Sequence, residues 1–446
     1  MSLIPLGFWA ASGAGASAGY WLLSFGGTAD DEFGYGVGSD SQGNVYTVGK
    51  TQSTGAGSSD ILLAKFDSAG SIVWQRILGG TGGDDARAVA FDSSDNVYIV
   101  GETASAGAGG DDMVLAKYNP SGVIQFQKTL GGSTTDRGRA VAVDSANNVY
   151  MAGSQYNSGA GGAETLVAKF TSAGVIQWQK SLGSASYDVA EGVAFDSSYN
   201  VYVVGNGYNT ATGIFDILLA KYSNSGSLEW QRFLGIADIG DYDYGLAIAI
   251  DGSNNIYIAG HSETNTAGGL DFLLAKYNTS GSLQWQRRLG GSSSDYSNSV
   301  AVDSSGNVFI FGYTSSTTKN AFLIAKYDSS GTIQWQRTLE SSVAETGMSI
   351  KIDKDDAIVV MGTTRSTGPG GRAFLAARLP SDGSLTGTYS LNGVNMVYSA
   401  SSLAASTSDL TEGPANLTGS TTTLTLSSSS MTAATSTLTA HLVEVS

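Results

Sequence analysis

Carboxylates and tyrosines are the side chains best suited to chemistry in this sequence, and the carboxylates recur at regular intervals. They precede two kinds of apolar stretch that repeat every 50 to 55 residues. The first set is Asp30, Asp31, Asp84, Asp85, Asp136, Asp188, Asp238, Asp241, Asp243 and Asp295. The second set is Asp60, Asp111, Asp112, Glu164, Asp216 and Asp271. Oxygen ligands of this type suit calcium, the one cofactor that the sequence suggests. The simpler interpretation is that these acids cap loop backbones and keep the surface soluble.

One stretch, residues 236–244, departs from the repeat by three additional residues. Its candidate ligand-binding residues are Asp238, Asp241, Tyr242, Asp243 and Tyr244. Tyrosines beside aspartates suit sugar recognition, because the ring stacks on the sugar while the carboxylate accepts its hydroxyl groups. A metal site and simple loop variation are the alternatives.

A second variable position follows a glycine that is present in every repeat. Its occupants are Lys50, Glu102, Ser154, Asn206, His261, Tyr313 and Thr363. A ring of unlike side chains can discriminate between ligands, so we take His261 and Tyr313 as further ligand-binding candidates. His261 has no second metal ligand or nucleophile at a motif spacing, and no catalytic role is assigned to it.

Composition excludes several classes of protein. The chain has no cysteine and two histidines, which removes disulfides, thiol catalysis and sites where cysteine or histidine binds zinc. The net charge of −16 opposes nucleic-acid binding. No apolar run approaches the roughly 18 residues that cross a bilayer, so membrane insertion is not expected. The first residues lack the basic segment of a signal peptide.

Catalytic motifs give no positive signal for an enzyme. The sequence contains no His-Glu-x-x-His pair and no P-loop. We therefore expect a protein without catalytic residues. A glycoside hydrolase or lyase remains the enzymatic alternative, because its paired acids would come from different repeats and sequence spacing does not reveal their separation.

Seven repeats determine the predicted architecture. Each has four apolar segments: a ends in Asp, b contains Asn-Val-Tyr, c contains Leu-Ala-Lys-Tyr, and d contains Trp-Gln-Arg. Helical periodicity is absent. The intervening Asp-Ser-Ser-x-Asn and Ser-x-Gly sequences are typical of tight hairpin turns. The pattern predicts an all-β fold, a seven-bladed β-propeller of four-stranded antiparallel blades.

Residues shared by all repeats are interpreted as structural. We expect the Asp of segment a to cap its hairpin turn, and the Lys of segment c to bury its stem while its amine finds a carboxylate or carbonyl. The a–b and c–d turns are short and uniform, and we call their side of the ring the turn face. The longer, variable d–a and b–c loops define the opposite side, the variable face, where a site is expected.

The sequence also predicts how the ring closes. Residues 21–27 match the d segment at residues 74–80, so an unpaired d strand precedes the first repeat. The seventh repeat has lost Trp-Gln-Arg from its own d segment, which is expected near residues 385–391. We expect the N-terminal strand to complete or augment the last blade and to cover its exposed edge.

The Asp-Ser-Ser-Gly-Asn-Val-Tyr and Leu-Ala-Lys-Tyr sequences resemble the bacterial seven-bladed β-propeller repeat family over residues 21–391. That resemblance implies a fold and little about function. Residues 1–13, Met-Ser-Leu-Ile-Pro-Leu-Gly-Phe-Trp-Ala-Ala-Ser-Gly, are similar to the start of virion structural proteins of marine tailed bacteriophages. This second resemblance implies assembly into a virus particle.

Both ends differ in composition from the repeats, which predicts three parts: an anchor arm and linker (1–19), the propeller (20–391) and a Ser/Thr-rich β extension (392–446). The Ala, Gly and Ser residues of 10–19 form a flexible linker. The proposed anchor residues are Leu3, Ile4, Pro5, Leu6, Phe8 and Trp9. A strand tucked against the protein's own ring is the alternative. The extension is expected to pair with another copy, with the ring or with a host particle.

The resulting functional hypothesis is a structural and interaction protein of a tailed-phage virion, as a fibre, spike or head-decoration module. It would be a homo-oligomer, joined to other virion proteins through both arms and displaying the propeller to a host glycan or receptor. The first alternative is a secreted or cell-surface bacterial propeller that binds glycan. The hydrolase or lyase described above is the second.

Overall fold

The computed structural model describes most of the repeats and short stretches of the C-terminal extension. The described residues are 19–26, 32–53, 55–156, 162–184, 186–235, 242–263, 269–317, 319–365, 371–391, 394–407, 411–414, 418–420, 425–428, 432–434 and 439–444. The predicted anchor residues from Leu3 to Trp9 lie outside this set. So do Asp238 and Asp241.

The described residues form a seven-bladed propeller without helices, which confirms the predicted fold class. Each blade has four antiparallel strands, a to d from the axis outward. The first strand of the chain, β1, spans Trp21–Gly26. Blade one contains β2 (Phe33–Ser39), β3 (Val45–Thr51), β4 (Asp60–Phe66) and β5 (Ile72–Gly79). Blade two contains β6 (Asp84–Phe91), β7 (Val97–Thr103), β8 (Asp112–Tyr118) and β9 (Ile124–Gly131). Blade three contains β10 (Asp136–Val143), β11 (Val149–Tyr156), β12 (Ala163–Phe170) and β13 (Ile176–Gly183).

The remaining blades follow the same order. Blade four contains β14 (Val189–Phe195), β15 (Val201–Asn209), β16 (Ile214–Tyr222) and β17 (Leu228–Gly235). Blade five contains β18 (Asp243–Ile250), β19 (Ile256–Glu263), β20 (Leu270–Tyr277) and β21 (Leu283–Gly290). Blade six contains β22 (Asp295–Val302), β23 (Val308–Thr314), β24 (Ala321–Tyr327) and β25 (Ile333–Glu340). Blade seven contains β26 (Glu345–Ile352), β27 (Ile358–Thr364), β28 (Ala373–Leu379) and, as its fourth strand, β1.

The N-terminal strand closes the ring as predicted. β1 pairs antiparallel with β28, with Trp21 opposite Arg378 and Phe25 opposite Phe374. Strands from both ends of the chain therefore share the sheet of blade seven. The ring cannot open there unless the hydrogen bonds between β1 and β28 break.

A rim segment adds an outer strand to every blade. It contains β29 (Gly387–Leu391), β30 (Val394–Ala400), β31 (Ala404–Thr407), β32 (Thr411–Pro414), β33 (Thr418–Ser420), β34 (Thr425–Ser428), β35 (Thr432–Ala434) and β36 (Thr439–Glu444). β30 pairs with blade six, and β31 to β35 pair in turn with blades five, four, three, two and one. β36 then pairs with β1 in blade seven. The rim segment thus runs around the ring against the order of the blades.

The described C-terminal strands pair with the protein's own ring, which is one of the three partners considered for them. This arrangement also corrects one expectation. Residues 385–391 were expected to hold the d segment of the seventh repeat, but β29 pairs with β30 at the outer edge of blade six. β1 has taken the d position in blade seven, which leaves the degenerate segment free to begin the rim. As a division into independent domains, the three-part scheme stays a prediction.

Apolar residues on both faces of the blades pack between neighbours. One cluster joins Tyr46, Val48 and Leu63 of blade one to Val97 and Ile99 of blade two, all buried. Equivalent clusters lie between the other blades. Burial on both faces explains why segments b and c are continuously apolar instead of alternating.

The Asp that ends segment a caps its hairpin turn, which confirms the structural interpretation. In blade three, Asp144 Oδ1 accepts the backbone N–H of Asn148 at 2.8 Å, and Asp144 Oδ2 accepts the Asn148 amide and the Tyr150 hydroxyl, both at 2.9 Å. The same contacts recur at Asp40, Asp92, Asp196 and Asp251. The Asp therefore links the turn to the buried Tyr of segment b.

The Lys column is also structural. Lys117 Nζ lies 3.2 Å from Asp92 Oδ2 and donates to the Ser172 carbonyl of the next blade at 3.2 Å. In blade seven Arg378 takes this position, 1% exposed, with its Nε 2.6 Å from Asp353 Oδ2. Arg378 also donates to the Gly19 carbonyl, so the substitution ties the start of β1 to blade seven.

The Trp and Arg of segment d hold the next blade. In blade six, the Trp335 ring N–H donates to the Ser381 carbonyl, and Arg337 Nε donates to the Gly383 carbonyl at 2.8 Å. Gly383 has φ of +73°, and a Cβ there would lie 2.8 Å from the indole. The c–d turn therefore requires glycine for its conformation and for the close approach of the ring.

Candidate functional site

All seven inner strands contain a β-bulge at the same position, and the bulged residues are of six different types, with arginine in both blades two and three. The register of the a–b pair shifts across this residue in each case. The bulged residues are Tyr35, Arg87, Arg139, Glu191, Leu246, Asn298 and Met348. All seven line a cavity of about 260 Å³ on the axis of the ring. Bulges re-aim side chains and are common beside functional sites, so this position was a site signal that the sequence analysis missed.

The a–b register also brings the predicted variable ring to the mouth of this channel. Each residue after the segment-b glycine lies opposite the residue that precedes the bulge by two positions. These cross-strand pairs are Phe33–Lys50, Asp85–Glu102, Arg137–Ser154, Val189–Asn206, Tyr244–His261, Tyr296–Tyr313 and Thr346–Thr363. Paired residues of this kind lie about 5 Å apart. The variable face therefore presents a ring of seven residue pairs, one from each blade, and no two pairs are the same.

In blades four to six this ring continues into a row of seven aromatic side chains, which we call the aromatic arc. Its members are Tyr208, Phe215, Tyr242, Tyr244, His261, Tyr296 and Tyr313. Successive ring centroids lie 4.8 to 6.5 Å apart. Tyr296 and Tyr313 stack at 4.8 Å with 18° between their planes. Tyr242 is 41% exposed, and the other tyrosines are half-buried.

His261 acts as one more aromatic ring in the arc. Its ring packs between those of Tyr244 and Tyr296, with centroid distances of 5.0 Å and 5.2 Å, and the residue is 8% exposed. Burial lowers the pKa of His261 to about 4, against a smaller opposing effect of a hydrogen bond with the Ser297 backbone. The imidazole is therefore neutral at physiological pH and supplies stacking surface instead of charge.

The structure thus brings together four of the predicted ligand-binding residues, Tyr242, Tyr244, His261 and Tyr313. Asp243 differs: its side chain is fully buried, so we correct its expected role as a surface contact. Asp243 is the first residue of segment a, and the acidic residue at the equivalent position of every other blade is also buried. Tyr208 and Tyr296 were missed because each is a single aromatic among small polar residues, and Phe215 because it lies in the apolar segment c; only folding aligns the three.

Blades one to three carry most of the ion pairs of this face, with the aromatic Phe33 and Tyr35 of blade one beside them, and blades four to six carry the aromatic arc. Arg87 lies 2.8 Å from Glu102, 3.2 Å from Asp85 and 4.1 Å above the Tyr35 ring. Burial alone would raise the pKa of Glu102, but Arg87 and Arg139 hold it below its usual value. The mouth of the channel is therefore divided into an ionic half and an aromatic half.

Most of the recurrent carboxylates on the variable face are internal. Asp84 is fully buried and accepts the Gly80 backbone N–H at 3.0 Å, the Ser105 hydroxyl at 2.6 Å and the Thr103 hydroxyl. The facing acid of the preceding blade, Asp60, is 3% exposed. Burial raises the pKa of Asp60 to about 6, and the charge of Asp84 adds to the shift. These contacts are the expected loop caps.

Calcium stays a prediction for this face. The described part of the chain contains no group of three or more acidic or histidine side chains that could hold a metal ion. Asp30, Asp31, Asp238 and Asp241 lie outside that part.

The structure also contains no helix, within the residues it describes, that could span a membrane.

The fold and this face define a class: a seven-bladed β-propeller whose unlike side chains converge on one mouth of its channel. Comparisons agree with the fold. Residues 21–55, 73–107 and 284–317 match the family described as Beta-propeller repeat, and residues 253–283 match the DUF5122 beta-propeller domain of unknown function. These matches support the resemblance to propeller repeats and say nothing about residues 1–13.

One curated relative is a WD repeat-containing protein from Acanthamoeba polyphaga mimivirus. It is 22% identical over 373 residues, an alignment that covers 59% of this chain. The chain spans 27% of the length of that relative.

Solved structures with a similar fold include Sqt1 from Chaetomium thermophilum, at 12% identity and a TM-score of 0.44. That match covers 86% of this chain and 97% of Sqt1. A gluconolactonase from Xanthomonas campestris matches at 11% identity and a TM-score of 0.36, over 66% of this chain and 85% of the enzyme. With TM-scores below 0.5, neither structure carries a functional argument.

Proposed function

We propose that the protein is a binding protein without catalytic residues, which captures carbohydrate on the aromatic arc of its variable face. The observation that supports this most is the unbroken row of aromatic side chains across three blades. Sugar rings stack on exposed tyrosines through their apolar faces.

Polar groups beside the arc are suited to sugar hydroxyls. The Glu263 carboxylate is close enough to Tyr244 to raise the pKa of its hydroxyl, with burial as the larger cause. Glu263 also donates its backbone N–H to the Tyr242 carbonyl at 3.2 Å, which joins the d–a and b–c loops of blade five. This bond holds the backbone of Tyr242 beside that of Glu263.

Glycan-array binding of wild-type protein and of the Tyr296→Ala/Tyr313→Ala double variant tests this function. Removing the stacked pair should weaken binding about tenfold or more, because aromatic contacts contribute about 0.5–1.5 kcal/mol each. Tyr187→Ala is the matched control. Tyr187 is a tyrosine of the variable face that is 39% exposed, and its ring contacts Tyr156, which lies outside the arc. No glycan binding by wild type, or equal losses in both variants, would reject the proposal.

The setting that we propose for this face is a virus particle, with the N-terminal arm as the anchor. The similarity of residues 1–13 to tailed-phage virion proteins supports it, as does the match to a mimivirus protein. Deletion of residues 1–18 should leave a folded ring, since β1 begins at Trp21, but should abolish its recovery in purified particles by mass spectrometry. Undiminished incorporation would exclude the anchor, and absence of the wild-type protein from purified particles would favour a secreted or cell-surface glycan-binding protein.

A further inference from the structure

The lower half of the channel is an apolar cavity of about 540 Å³ towards the turn face. Its lining comes from all seven inner strands and is almost entirely Ala, Val, Ile and Phe. Phe91, Phe195 and Ile250 are only half-buried there. Apolar surface exposed inside a concavity of this size is typical of ligand sites.

One charged residue interrupts this lining. Lys351 stands two positions before the capping Asp353, where the other six blades have only Gly or Ala: Gly38, Ala90, Ala142, Ala194, Ala249 and Ala301. The small residues leave the space that the lysine stem enters. Lys351 is therefore a departure specific to blade seven at an otherwise uniform position.

Lys351 lines both the apolar cavity and the smaller cavity above it. Its side chain is exposed, and that exposure is to the channel. Within the described part of the chain it has no hydrogen-bond or ion-pair partner, unlike the segment-c lysines. Desolvation inside the channel lowers the pKa of Lys351.

The charges around the upper cavity favour an anion. Its lining contains Arg87, Arg139 and Lys351 but one carboxylate, Glu191. Glu191 lies 3.9 Å from Arg139, and Arg87 is paired with Asp85 and Glu102. Lys351 is thus the cation left for a ligand, in a chain whose net charge is −16.

We propose that the channel binds an amphipathic monocarboxylate, with its carboxylate on Lys351 and its aliphatic tail in the apolar cavity below. This site is separate from the aromatic arc and does not depend on carbohydrate binding. The tail replaces water against Val, Ile and Phe side chains. The carboxylate pairs with an amine that otherwise lies uncompensated among apolar groups.

Isothermal titration calorimetry with octanoate tests the site. Wild type should bind octanoate saturably, and Lys351→Ala should weaken that binding about tenfold or more, because the charge-assisted hydrogen bond to the carboxylate is lost. Lys351→Ala restores the residue of five other blades, so the ring should fold. Lys351→Met keeps the aliphatic stem without the charge and should weaken octanoate binding as much.

Two controls separate head-group recognition from nonspecific apolar binding. Lys354→Ala removes an exposed lysine of the same blade and should leave octanoate binding unchanged. Octylamine has the same tail with the opposite charge and should not bind wild type. The proposal is overturned if octanoate does not bind, if it binds Lys351→Ala as tightly as wild type, or if octylamine binds equally well.

Discussion

Single residues in this protein divide into those that all blades share and those that only one blade has. The capping aspartates and the segment-c lysines are shared and hold the turns and blades together. The bulged residues, the aromatic arc and Lys351 are particular to their blades and face open space at the channel. A repeat protein thus supplies an internal comparison, in which departure from the common residue at a solvent-facing position marks a candidate site.

Removal of a capping aspartate should destabilise the ring. Asp144 is 2% exposed and accepts three hydrogen bonds, so Asp144→Ala leaves buried donors without an acceptor. We expect the free energy of unfolding to fall by about 2–4 kcal/mol in urea denaturation. Asp144→Asn retains one acceptor and should cost less. Asp67→Ala, in a solvent-facing c–d turn, is the control; a loss there as large as at Asp144 would disprove the role of the buried cap.

The buried acids of the variable face predict an unusual dependence of stability on pH. Burial raises the pKa values of Asp60, Asp112 and Asp136 to about 6 each, well above the usual carboxyl pKa near 3.9. Between about pH 4 and pH 6 the folded state therefore binds more protons than the unfolded state, and stability falls as pH rises through this window.

The unfolding free energy should accordingly be higher at pH 5 than at pH 7.5, by at most about 1.4 kcal/mol for each acid, because about one pKa unit of each shift lies above pH 5. The lowered pKa of His261 opposes this difference by about 2 kcal/mol, which is less than the three acids contribute together. Chemical denaturation at both pH values measures the difference. Asp136→Asn removes one titrating group and should reduce the pH dependence. The attribution to these acids is wrong if stability rises from pH 5 to pH 7.5, or if the variant retains the full dependence.

At the scale of elements, the sequence predicted the blades and the closure but not the rim. The large apolar residues of segments a to d indicate strands that are buried on both faces, which predicts the blades. Trp21 matches the Trp of segment d, which predicts the closure. The rim strands are three to seven residues long and rich in Ser, Thr and Ala. Their pairing uses backbone groups, which every sequence has, so composition alone left their partner undetermined.

The aromatic arc was only partly predictable for a similar reason. Tyr242 and Tyr244 stood out as an irregular stretch, and His261 and Tyr313 as a variable position after a glycine. Tyr296 lies within the regular segment a, and its partnership with Tyr313 follows from strand register. The bulges were not visible, because a one-residue shift in pairing leaves the apolar pattern of the strand almost unchanged.

The rim strands should protect the ring from association at its edges. Truncation after Ser401 keeps the β29–β30 hairpin of blade six but exposes the outer edges of the other six blades. We expect self-association in size-exclusion chromatography with light scattering, and a melting temperature lower by about 5 °C or more. Deletion of residues 1–18 is the control, since it removes no described strand. A truncated ring that keeps the oligomeric state and the melting temperature of the full chain would show that the rim does not protect these edges.

At the scale of the whole molecule, the two faces of the ring differ in how far their residues vary between blades. The turn face is uniform, and hydrogen bonds join the turns of neighbouring blades, such as Ser93 to Asn147 and Ser197 to Asn254. The variable face has unlike residues at equivalent positions, held by the same framework. A rigid ring that closes through both ends of the chain is suited to presenting such a face without rearrangement on binding.

Hydrogen–deuterium exchange with the best oligosaccharide from the glycan array tests the central claim most directly. Binding at the aromatic arc predicts slower exchange in peptides that cover residues 242–263 and 295–314, with blades one and two and the turn face unchanged. Protection confined to the turn face or to blades one and two, with none at the arc, would contradict the account.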